Sequence, residues 1–153
     1  MKTSTFLDTL DDPQIVAAIR AAEAHTSGEI RLVVTSRAAQ DPVASGWQAF
    51  EKLGMQRTRH RNGVLIYLSP SSQTFAILGD IGIHTAAGEQ LWQPAAEALR
   101  QGLAAGQLSA ALIETVTRIG HALQTHFPAE TPNPNELADE VVREGSEDES
   151  DPA

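Results

Sequence analysis

Two short runs of the chain are rich in β-branched and other large apolar residues: EIRLVVTS at residues 29–36 and VLIYL at residues 64–68. Their β-branched content and their brevity predict strands buried on both faces. Around them the apolar positions take a helical period. Asp12-Pro13 supplies a capping acid and a first-turn proline, and Ile15, Val16, Ile19 and Ala22 follow at helical spacing up to a stop at Ser27-Gly28. Asp41-Pro42 repeats that start. Val43, Trp47, Phe50 and Leu53 then fall on one face of a second helix that gives way near Gly54. Asn62-Gly63 predicts a turn ahead of the second strand. Ser69-Pro70-Ser71-Ser72 predicts another, from which residues 74–78 return antiparallel as a hairpin.

The second half of the chain reads as helix. Residues 86–106 have helical composition but carry Pro94, which in a helix interior would remove a ladder hydrogen bond. The pattern therefore predicts a short helix to Trp92 and a new start at Pro94. Leu108, Leu112, Ile113, Val116, Ile119 and Leu123 make the most regular apolar face in the chain, on a helix over residues 107–126 that Phe127-Pro128 ends. A strand, a helix and a strand in succession imply a right-handed crossover between parallel strands, and the hairpin adds an antiparallel one. The expected fold class is α/β. It is a single-domain αβα sandwich whose small mixed sheet, a βαβ crossover plus a β-hairpin, is covered by helices on both faces. The domain is expected over residues 1–128. Residues 129–153 read as an acidic, mostly flexible tail with a short helical turn near 135–142.

Charge sharpens this division. The net charge is −9, but residues 130–153 hold nine acids against the single base Arg143, so residues 1–129 carry only −1. A nearly neutral folded part argues against a nucleic-acid stripe and against a strongly acidic binding face. With no cysteine, disulfides and thiolate metal sites are excluded. The opening MKTSTFLDTLDDP lacks the apolar run of a secretory signal. No stretch approaches the ~20 apolar residues of a membrane span. The expected location is the cytoplasm.

Candidate chemistry gathers in residues 61–84. In Gly79-Asp80-Ile81-Gly82 the glycines allow a sharp turn that brings N–H groups and the Asp80 carboxylate together, an arrangement able to hold a cation or orient a water. The alternative is a strand-to-helix turn in which Asp80 bonds its own backbone. In the basic connector Arg57, Arg59, His60 and Arg61, the guanidiniums of Arg59 and Arg61 are candidates to grip a phosphate, though such residues are common in solvated loops. Glu29, Asp41, Asp80 and Glu89 would serve a hard cation only by converging in space, and Asp41 has a capping role already; Asp80 and Glu29 are the candidate metal ligands. Of His25, His60, His84, His121 and His126, only His84 lies near the acidic loop, as a candidate general acid or base. His121 and His126 sit at a helix C-terminus, where a cation suits the dipole. There is no HExxH, Walker A, GxSxG or dinucleotide fingerprint.

The blocks SGEIRLVV, F-x-x-LGM-x-x-T-x-x-RNGVLI, FAILGDIGI, a following tryptophan, IGHALQTHFP and NEL occur in that order. Together they resemble the TPM domain family, most closely its short bacterial branch, over residues 12–140. The resemblance implies an α/β sandwich with a small mixed sheet. It also implies a family in which a thylakoid-lumen member is an acid phosphatase, some members bind calcium, and others act as accessory factors. By the same resemblance, the partners expected are a second TPM-domain protein or a LemA-type membrane protein. The family's site position falls at Gly79, Asp80 and Gly82, and its turn at Asn62 and Gly63. Membrane-anchored relatives tend to carry an acid before that turn, where this chain has Arg61, and further acids where it has His84-Thr85-Ala86-Ala87.

Two functions follow from these residues. The favoured one, given the reduced carboxylate count, is a non-catalytic interaction or accessory module working with membrane-associated partners. The other is a divalent-cation-dependent, acid phosphatase-like hydrolase of phosphate monoesters. In it, Ca²⁺ or Mg²⁺ would sit at Asp80 and Glu29, His84 would move a proton, and Arg59 or Arg61 would steady the phosphate.

Overall fold

Residues 12–88, 92–129 and 141–144 are described by the computed structural model. Helix α1 (Asp12–Glu23) leads into strand β1 (Glu29–Thr35), and helix α2 (Pro42–Lys52) with a 3₁₀ turn (Met55–Arg57) leads to β2 (Gly63–Ser69). Strand β3 (Thr74–Gly79), helices α3 (Ile81–Ala87), α4 (Gln93–Ala105) and α5 (Leu108–His126), and strand β4 (Val141–Glu144) complete the chain order. The four strands form one sheet in the order β3-β2-β1-β4. As the βαβ reading requires, β1 and β2 run parallel, from Glu29 opposite Gly63 to Val34 opposite Leu68. β3 returns antiparallel, with Ser69 opposite Thr74 and Val64 opposite Gly79.

Alternation along the buried strands divides the core into two layers. Ile30, Leu32 and Val34 of β1, with Val64, Ile66 and Leu68 of β2, face α1, α3, α4 and α5. Val33, Leu65 and Tyr67 face α2 and Met55. The αβα sandwich is therefore observed with unequal cover, four helices on one face and one on the other. On α5 the expected stripe is buried at Leu108, Leu112, Val116, Ile119 and Leu123, with Ile113 half-buried beside it. Pro94 opens α4, as its missing N–H predicts. Gly106, in the left-handed region (φ 72°), closes α4 while the Gln107 N–H donates to the Gly102 carbonyl.

Four expectations are corrected. Gly79-Asp80-Ile81-Gly82 is the strand-to-helix turn of the second reading, with Asp80 bonding the Ile81 N–H as the cap of α3, but the helix begins at Ile81, ahead of the predicted start at 86. The face of α2 is rotated, because Gly46, Ala49 and Phe50 are buried while Val43 and Trp47 stay 49% and 41% exposed. A Cβ on Gly46 would lie 2.7 Å from Leu78 Cδ1 and 3.3 Å from Tyr67 Cβ, so small residues line the closest approach and bulky ones flank it. At Asn62-Gly63 the left-handed residue is Arg61 (φ 51°); Asn62 is fully buried and Gly63 already belongs to β2. Finally, Val141 and Val142 are not in a helical turn. They are in β4, parallel to β1 with Val141 opposite Leu32, so the sheet extends past residue 128 as far as Glu144. Residues 135–140 of that expected turn, and the rest of the tail except 141–144 and Ala129, lie outside the described residues.

Side chains from across the sheet seat β4. The Tyr67 hydroxyl donates to Glu144 Oε1 at 2.6 Å, and Arg37 Nη2 lies 3.3 Å from the same oxygen. Burial first, then the hydrogen bond to Glu144 and its negative charge, pushes the Tyr67 phenol up to about 12. Tyr67 is the only tyrosine in the chain, so phenolate absorbance reports this group alone. Its midpoint is expected about two units above the ordinary ~10 in the folded protein and at ~10 after unfolding in denaturant. Because the folded-state value is raised, the associated stability is complete below pH ~10 and is lost as pH rises through about 12. In Glu144→Gln the midpoint should fall part of the way back, since burial remains.

Candidate functional site

The predicted site residues lie at the end of the sheet where β1 and β2 begin and β3 ends. The Asp80 N–H donates to the Gly63 carbonyl at 2.9 Å, which continues the hairpin by one bond past the strand. The Asp80 carboxylate, 4% exposed as a residue, is met on both oxygens: Oδ2 by Arg61 Nε at 2.7 Å, and Oδ1 by Arg61 Nη2 at 2.9 Å and by the Ile81 N–H at 2.8 Å. This is a bidentate fork combined with a helix cap. The hydrogen bonds first, and the charge of Asp80 second, raise the Arg61 guanidinium further above its ordinary range. Gly82 completes the junction. Its N–H donates to the Arg61 carbonyl at 2.8 Å, and a Cβ there would fall on the carbonyl oxygens of His60 and Arg61. Gly79 is similarly close-packed, under Ile83 and Trp92. Asn62 donates from Nδ2 to Ser27 Oγ at 3.2 Å and receives the Thr58 hydroxyl as acceptor for its backbone N–H.

The structure thus joins Asp80 to Arg61 and separates both from the other candidates. Glu29 is buried at the start of β1, with Gly63 of β2 standing between it and the Asp80 backbone. His84 is exposed on α3 and lines an apolar hollow along β3 with Trp92 and Trp47. Arg59 is exposed on the connector, and Asp41 caps α2 by accepting the Ala44 N–H at 3.1 Å. Glu89 lies outside the described residues. Among the described residues, no group of three or more His, Cys, Asp or Glu side chains is placed to hold a metal ion.

A different polar group lies at the opposite end of the sheet. The carboxyl ends of the parallel strands β1, β2 and β4 lie here, the end at which open α/β sheets receive ligands. In this position a crevice of about 240 Å³ is lined by Arg37, Ser45, Gln48, Lys52, Tyr67 and Glu144. It offers cationic and neutral donors around one carboxylate that is already bonded to Tyr67 and Arg37. The sequence reading passed over it because Glu144 lies in a segment with tail-like composition and Arg37 stands in no motif. The available signal was topological: residues 36–41 follow a buried parallel strand directly.

An open mixed sheet with a crossover helix on one face and a helical layer on the other defines a small α/β sandwich domain. The chain belongs to the TPM domain family, whose model matches residues 2–122. It is similar to BA42 from the psychrophilic bacterium Bizionia argentinensis, whose NMR structure superposes with a TM-score of 0.81 at 32% identity, covering 86% of this chain and 91% of that one. No curated protein matches the chain. Among the described residues, no helix is long and apolar enough to cross a membrane.

The close approach at Gly82 makes a direct test of the junction. Gly82→Ala should lower the unfolding free energy by about 1–3 kcal/mol, since the added carbon meets backbone rather than a movable side chain. Asp80→Asn, which can keep an oxygen for the Ile81 N–H, should retain the cap but lose the charge pair. Urea denaturation of both variants against the parent protein measures the difference.

Proposed function

We propose that this TPM domain is a non-catalytic interaction module. The observation that carries the reading is the occupancy of Asp80: both carboxylate oxygens are engaged by Arg61 and the first turn of α3. A cation at Asp80 would have to displace a bidentate guanidinium that already supplies the compensating charge. The same guanidinium spends its Nε–Nη2 fork and its charge on Asp80, which weakens its hold on a phosphate, and His84 lines the hollow along β3. What remains of the family's site position is therefore a structural clamp that holds a sheet edge and a helix in register. The partners proposed are those the family resemblance implies, membrane-associated proteins or a second TPM-domain protein.

The experiment is an aryl-phosphate assay across pH with Ca²⁺, Mg²⁺ and Mn²⁺, run beside calorimetric titration of each ion. Turnover at the level of a protein-free blank and no saturable heat are expected. Turnover that is lost in Asp80→Asn, with the fold retained by circular dichroism, would overturn the reading in favour of the hydrolase.

A further inference from the structure

Strand β3 closes one end of the sheet, and among the described residues only β2 pairs with it. Proteins usually blunt such edges with charges, proline or bulges, because an open row of N–H and C=O groups is a template for another strand. The six residues of β3, TFAILG, carry no charge and no proline, and their register with β2 runs through without a bulge. Apolar surface stands on both sides of this edge. Val43 and Trp47, two of the three exposed large hydrophobic residues among those described, rise beside it from α2. Phe75, Ile77 and Trp92 stand with them around a hollow of about 410 Å³. A second hollow of about 380 Å³ continues past Phe75 to Pro42, Arg100 and Leu103, with the Arg100 guanidinium 5.8 Å from the centre of the Phe75 ring.

We propose that this edge pairs with the same edge of a second copy of the chain, antiparallel about a two-fold axis normal to the sheet, to give one continuous eight-stranded sheet. Three arguments favour a second copy as the occupant. An isologous contact brings the same patch of both copies together, residue i meeting j and j meeting i, so an uncharged strand meets itself without like-charge repulsion. The acidic residues 130–153 surround β4 in sequence, and β4 is the opposite edge of the sheet, so pairing through β3 leaves the charged segments attached at the two far ends. Pairing through β4 would bring the segments together. Size is the third argument. A six-residue edge about 20 Å long and three layers of ~10 Å deep offers roughly 600 Å² per copy, about 1,200 Å² in total, at the lower limit for a specific interface. The association is therefore reversible and weak. In this geometry Trp47 and Val43 of the two copies close over the seam on one face, and α4 approaches its mate on the other. The inference goes beyond the module reading and does not depend on Asp80.

Sedimentation equilibrium of the full chain from about 1 μM to about 1 mM is the test. The weight-average mass should rise from 16.4 kDa toward twice that value. Trp47→Glu, placed at the seam, should weaken dimerisation at least about 10-fold. Ile81→Glu, at an exposed apolar residue that does not line the β3 hollows, should leave it unchanged. Amide exchange within residues 74–79 should slow as concentration rises in the parent protein but not in Trp47→Glu. A monomer at every concentration, or a dimer that Trp47→Glu leaves intact, would overturn the proposal. So would a stable monomer that takes up an unrelated extended peptide along β3.

Discussion

A carboxylate removed from water has to meet its countercharge where it stands, and Asp80 does so through the forked guanidinium of Arg61 and the N–H of Ile81. Much of the fold is tied to that contact. It joins Arg61, two residues before β2, to Asp80, the residue after β3, so the two ends of the hairpin away from its turn are locked together. It also sets the direction in which α3 leaves the sheet, which carries Ile83 into the core beside the longer helices. Arg61 adopts a left-handed backbone that a non-glycine residue rarely takes, and the surrounding bonds over-determine it. Thr58 accepts the Arg61 N–H through its carbonyl and the Asn62 N–H through its hydroxyl, while Gly82 lets the helix rest on the turn. Both oxygens of the acid singled out by sequence context are thus held by its neighbours.

The unequal cover of the sheet explains where the molecule is closed and where it is open. Four helices pack one face and fill it with leucine and isoleucine, with α4 and α5 in close contact where Gly102 meets Ala111. The single helix on the other face, α2, approaches through Gly46 and Ala49 and lies over β2 and β3. A helix that packs through its small residues keeps its large ones at the flanks, which is why Val43 and Trp47 stand in solvent. The strip of sheet that α2 does not cover is closed toward its carboxyl end by Tyr67, Arg37 and Glu144.

Most of the architecture was legible in the sequence because local signals and the core pattern agreed. Asp41-Pro42 and Pro94 start helices by their own covalent geometry, and the β-branched runs of β1 and β2 could be buried only as strands. The rest depended on contacts distant in sequence. The stripe Val43, Trp47, Phe50 and Leu53 satisfies a helical period, but the face that packs was chosen by the proximity of Tyr67 and Leu78 to Gly46. In the same way Asn62-Gly63 carries the composition of a turn, whereas the left-handed residue is the arginine required by Asp80. Val141 and Val142 read as part of a polar tail because so short a strand has no pattern of its own. At the candidate site the residue types were legible and the Arg61–Asp80 pairing was not, since a sequence shows which groups are present and not which oxygens are already bonded.

The seating of β4 bears on how the chain comes to be folded. β1, like β2, is buried along its whole length, and one side of it is occupied only when Val141 reaches Leu32. Strand β1 is made well before β4, with the crossover helix, the hairpin and three further helices between them, so the partner for that side arrives late. Parallel pairing across so long a stretch of chain is slow to close. Until then a strand that is wholly buried in the folded domain is an edge, and a chain cut before Val141 would keep it one.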